Sequence, residues 1–84
     1  MASDLNFIIF SAPWCGQCKL LKPKVDKYIE SNNIKIYRVE EGSYNSETLM
    51  DRFNIEFYPT LVVVEGNSHK KIVGYDKIVQ YLNS

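Results

Sequence analysis

The sequence predicts an α/β domain in the order βαβαββα, with a four-stranded mixed sheet carrying helices on both faces. Three observations predict it. The runs at 5–10 and 60–65 are almost wholly apolar, as in strands of a central sheet covered on both sides. Between the first run and the alternating Ile34-Lys35-Ile36-Tyr37-Arg38-Val39, the apolar residues change to a helical period. After the second run, Gly66-Asn67-Ser68 reads as a hairpin loop that returns the chain antiparallel.

Taken in order, residues 5–10 form the first strand. Ser11-Ala12-Pro13-Trp14 then reads as a loop, because Pro13 cannot donate to a ladder and biases Ala12 toward extended backbone. From Cys15 or Gly16 to about Ser31, the residues Leu21, Val25, Tyr28 and Ile29 share one face of a helix. Pro23 lies inside this segment and is expected to kink it without ending it, since the apolar period resumes at Val25. Asn32-Asn33 marks the stop. A second strand follows over 34–39, and strand, helix and strand together make a right-handed βαβ unit with parallel strands. Residues 40–44 read as a loop. Asn45 or Ser46 offers a cap for a short helix to about Phe53, with Leu49, Met50 and Phe53 as its stripe. The third strand spans 60–65 and the fourth 69–73. Gly74 breaks the fourth, and Asp76 is read as the cap of a last helix that buries Ile78, Val79, Tyr81 and Leu82.

Composition narrows the function classes. The 84 residues suit one domain over 1–84, with 45% hydrophobic and 24% charged residues and a formal net charge of zero. A nucleic-acid binder usually carries a basic excess, and none is present. No apolar run approaches the roughly 18 residues of a membrane span. Met1-Ala2-Ser3-Asp4 lacks the charged and apolar regions of a signal peptide, so the expected location is cytoplasmic.

The chemistry is expected at Trp14-Cys15-Gly16-Gln17-Cys18-Lys19, which holds the only two cysteines. A thiolate at a helix start is stabilised by the unsatisfied N–H groups there. A cysteine one turn along can close a disulfide with it. In a reducing compartment a lone pair is catalytic or metal-binding before it is structural. The alternative is half of a zinc site, but zinc normally takes four ligands, and the single histidine, His69, falls on an edge strand remote from the pair. Trp14 is read as a partly exposed contact residue. Lys19, Lys22, Lys24 and Lys27 are read as a solvated helix face, and Arg38 and Glu56 as isolated charges.

A CxxC in a βαβ setting is characteristic of thioredoxin-like redox proteins. The hexapeptide resembles the thioredoxin active-site run, with Gln17 where thioredoxins usually have proline. Pro23 is similar to the family's kink proline, Tyr58-Pro59-Thr60 to its cis-proline segment, and Gly66 and Gly74 to its glycines after the third and fourth strands. The resemblance to the thioredoxin superfamily covers nearly the whole chain. It implies a thioredoxin-like fold on the minimal glutaredoxin-type plan, since fourteen residues before Cys15 leave no room for the thioredoxins' extra strand and helix. It also implies a thiol-disulfide oxidoreductase that reduces protein disulfides through a redox-active Cys15–Cys18 disulfide, with no bound cofactor or metal.

On this resemblance Cys15 is the more exposed, attacking thiol and Cys18 the buried, resolving one. Trp14, Gly16, Gln17, Tyr58, Pro59 and Gly74 are the expected substrate-binding residues. The implied partners are protein disulfides, ribonucleotide reductase among them, met by a monomer with no nucleic acid or membrane. Two departures bear on mechanism. Thioredoxins carry a buried aspartate six residues before the first cysteine, where this chain has Ile9. Glutaredoxins carry a glutathione-binding lysine three residues before it, where this chain has Ala12, which favours a thioredoxin reductase-like donor over glutathione. A glutathione-coupled glutaredoxin, a redoxin dedicated to ribonucleotide reductase and a redox-inactive docking module are the alternatives.

Overall fold

The computed structural model describes residues 5–83, so the residues read above for a leader lie outside it. The elements are β1 (Leu5–Ser11), α1 (Gly16–Asn32), β2 (Ile36–Glu40), α2 (Ser46–Arg52), β3 (Thr60–Glu65), β4 (Ser68–Val73) and α3 (Tyr75–Leu82). Strands lie in the order β2-β1-β3-β4, with β1 and β2 parallel and the other two pairings antiparallel. The expected thioredoxin-like α/β architecture is therefore present, with the two apolar runs as the central strands.

Alternation along the strands builds two apolar layers. Phe7 and Ile9 of β1, Ile36 of β2, and Leu61 and Val63 of β3 meet Leu21 and Val25 of α1 and Ile78 of α3. On the opposite face Phe10, Val39 and Val62 are covered by Leu49, Met50 and Phe53, the stripe expected for the short helix. Pro23 sits inside α1 without ending it. No helix among the described residues is long and apolar enough to cross a membrane.

Two boundaries depart from the sequence reading by two residues, those of β2 and α3, while α2 starts where expected. The second strand begins at Ile36, because Asn33 takes a left-handed backbone and Ile34 N–H returns to Ile29 carbonyl at 3.3 Å, closing the helix end. At α2, Asn45 occupies the cap position in the left-handed region without a side-chain capping bond, and Ser46 opens the helix. The cap expected at Asp76 moves to Gly74, whose φ of +98° suits glycine and whose N–H donates to Pro59 carbonyl at 2.9 Å. That bond fixes the entry of α3 two residues early. Asp76 is left in the first turn, where its charge complements the helix dipole.

Candidate active site

Pairing of Ser11 with Glu40 places the ends of β1 and β2 at one edge of the sheet. The chain turns there, with Cys15 N–H donating to Ala12 carbonyl at 3.1 Å, and Cys15 becomes the N-cap of α1. Its Sγ accepts the N–H of Cys18 at 3.2 Å, so the sulfur does the work usually done by a serine or aspartate oxygen. The first turn of α1 contains no acidic residue. The positive end of the helix is therefore matched by this sulfur, which favours the thiolate there once the pair is reduced. Cys15 and Cys18 are joined as a disulfide with their Cα atoms 5.2 Å apart, inside the ordinary range of about 4.4–6.8 Å.

The expected difference in exposure is reversed. Cys15 is only 7% exposed, whereas Cys18 is half-buried. The cap geometry explains this: it draws the Cys15 sulfur back over the first helical turn, while Cys18, one turn on, lines a cleft. The electrostatic asymmetry that favours Cys15 as nucleophile remains, and it now rests on the helix end alone.

Trp14 is 67% exposed, and two groups fix its ring. Its Nε1–H donates to Glu41 Oε1 at 2.9 Å, and its ring makes a T-shaped contact with Tyr58, ring centroids 5.6 Å apart. Tyr58 O–H donates in turn to Met50 Sδ at 3.1 Å, tying the site to α2. Burial, and after it the Glu41 carboxylate, raise the Tyr58 phenol above its usual pKa, so the hydroxyl stays a donor. The Tyr58–Pro59 peptide bond is cis, as the resemblance implies. Pro59 is buried and shares the cleft with Cys18, while Gly74 reaches the site through its bond to the Pro59 carbonyl. Gly16 and Gln17 are exposed beside the pair.

The cleft has a volume of about 420 Å³. Ile9, Ala12, Leu21, Val25 and Pro59 give it an apolar floor, and Lys19, Lys22, Arg38 and Glu40 line it with charge. Arg38 is not the isolated charge that its sequence context suggested, since its guanidinium pairs with Asp26 of α1. His69 packs against Phe53 from β4, and no group of three potential metal-ligating side chains occurs among the described residues. Sequence reading passed over Glu40 and Glu41. The available signal was the parallel βαβ unit, because sites in such sheets form where parallel strands end.

A family model described as thioredoxin matches the chain over residues 1–84. The chain belongs to the thioredoxin family. Among related proteins of this family, it is 38% identical over 78 residues to a protein disulfide-isomerase of Arthroderma benhamiae, covering 88% of this chain and 14% of that protein. It is 29% identical over 72 residues to thioredoxin 1 of a Nostoc species, covering 84% of this chain and 67% of that one. The solved structure of oxidised thioredoxin O1 from Arabidopsis thaliana superposes with a TM-score of 0.79 at 26% identity, over 96% of this chain and 74% of that one. This thioredoxin-family chain thus spans 14% of the isomerase's length, 67% of the Nostoc thioredoxin and 74% of the Arabidopsis one.

Proposed function

We propose that this protein is a thiol-disulfide oxidoreductase that reduces protein disulfides by dithiol–disulfide exchange. One observation carries the reading: the Cys15 sulfur caps α1 and is bonded to a cysteine one turn along the same helix. In the reduced protein the Cys15 thiolate attacks a substrate disulfide, forming a mixed disulfide and expelling one substrate thiolate. The Cys18 thiolate then attacks Cys15 Sγ, closes the protein disulfide and releases the second substrate thiol. Two electrons pass from the pair to the substrate. The fixed indole of Trp14 and the cis Tyr58–Pro59 segment supply the contact surface for the substrate backbone around its disulfide.

Protein disulfides are the proposed substrates, ribonucleotide reductase among them, and the cytoplasm the proposed compartment for a monomeric carrier. A thioredoxin reductase-like donor is favoured over glutathione because Ala12, buried beside the pair, provides no cation for a glutathione carboxylate. Reduction of insulin by dithiothreitol tests the activity: the wild type should accelerate it and Cys15→Ser should not. No acceleration by the wild type would sink the reading. Cys18→Ser should retain a substrate adduct on Cys15, detectable by intact mass and peptide mapping. An adduct on Cys18 of Cys15→Ser, formed at the wild-type rate, would exchange the two roles.

A further inference from the structure

We propose that Glu40 is the proton acceptor for Cys18 in the resolving half of the reaction. The proposal rests on the disulfide-exchange reading and adds the group that reading lacks. Before Cys18 can attack the mixed disulfide its thiol must lose a proton, because the thiolate is the nucleophile. The strand beneath it gives no base: Ile9 is 5% exposed and apolar. Among the described residues, Glu40 is the only carboxylate lining the cleft that Cys18 lines.

The other polar groups around that cleft are excluded by their chemistry. Lys19 and Lys22 from α1 and Arg38 from β2 are donors without acceptor capacity when charged. Ser11 from β1 has a hydroxyl that already carries its proton and cannot hold a second at neutral pH, and Pro59, just before β3, has no titratable group. Two other carboxylates, bonded to groups that line or flank the site, are occupied. Asp26 takes Lys22 and Arg38, and Glu41 holds the Trp14 indole. Glu40 makes no side-chain hydrogen bond or ion pair among the described residues, so its oxygens are available. Its main chain is fixed by its place at the end of β2 and by the Ser43 N–H and hydroxyl bonds to its carbonyl, at 3.0 and 2.6 Å.

The step balances without a further reagent. The Cys18 proton passes to a Glu40 oxygen, the Cys18 sulfur bonds to Cys15 Sγ, and the bond from Cys15 to the substrate sulfur breaks. The departing thiolate then takes the proton back from Glu40.

The reduced full-length protein mixed with the aromatic disulfide 5,5′-dithiobis(2-nitrobenzoate) in a stopped-flow instrument separates the steps. Attack by Cys15 releases a first coloured thiolate and closure by Cys18 a second. In Glu40→Gln the first phase should be unchanged, while the second should slow at least about tenfold near pH 7. The gap should narrow as the pH rises, because hydroxide then removes the thiol proton without the carboxylate. A second phase that matches wild type at every pH overturns the proposal. So does one slowed equally at every pH, which marks a structural effect. So does acceleration, the sign expected if the carboxylate merely repelled the thiolate. Absence of a second phase from the wild type would instead count against the disulfide-exchange reading itself.

Discussion

At the scale of single residues, Glu41, Trp14, Tyr58 and Met50 form one chain of contacts from the end of β2 to α2. The phenol in its middle makes a pH-dependent contribution with a definite sign. Its folded pKa lies above the unfolded value of about 10, so the folded state holds this proton more tightly. The stability involved is complete below about pH 10 and is lost as the pH rises through the folded value. Tyr58→Phe should therefore lose less stability than wild type between mildly and strongly alkaline pH, as measured by urea midpoints across that range. Equal losses in both proteins would remove Tyr58 from the account. Cys15, Cys18, Trp14, Gly16, Gln17, Tyr58, Pro59 and Gly74 were proposed from the sequence and its family resemblance, because short runs along the chain carry them. Glu40 and Glu41 were not legible as site residues. Their importance depends on the register that sets Ser11 beside Glu40, a relation between strands more than 25 positions apart by numbering.

At the scale of elements, α3 is the part most dependent on a single anchor. Ile78 is fully buried in the layer shared with α1, and the helix has only eight residues. Ile78→Ala should cost about 2–5 kcal/mol. For a domain of this size each kcal/mol lowers the melting temperature by about 4–8 °C, readable by circular dichroism. A loss below about 1 kcal/mol would mean that α3 is held mainly by other contacts. The helix periods and both central strands were readable because burial imposes them on the sequence. The start of α3 was not, because Asp76 has the right chemistry for a cap while tertiary contact with Pro59 sets the boundary at Gly74. Ile34 likewise has strand-forming character, but the left-handed Asn33 consumes the turn before β2.

At the scale of the whole molecule, two apolar layers sandwich one sheet, and the disulfide closes a loop with a sequence separation of only three. A cross-link that short restricts the unfolded chain little, so chain entropy limits its contribution to about 2 kcal/mol. Reduction should lower the unfolding free energy by no more than this, measured by urea denaturation of the two forms. A larger fall would show that the pair also supports the folded site. The topology has another consequence, for polypeptide attached at the ends. β1 starts beside the β3–β4 hairpin, where Leu5 pairs with Glu65, and runs toward the disulfide. α3 starts beside Pro59, to which its cap Gly74 is bonded, and runs back until Asn83 lies near Asn32, at the far end of α1. Both described ends thus leave from the pole opposite the reactive sulfurs. Fused partners or tethers joined there would hang behind the reactive face, making this fold a bead that can be strung in series with its chemistry still facing outward.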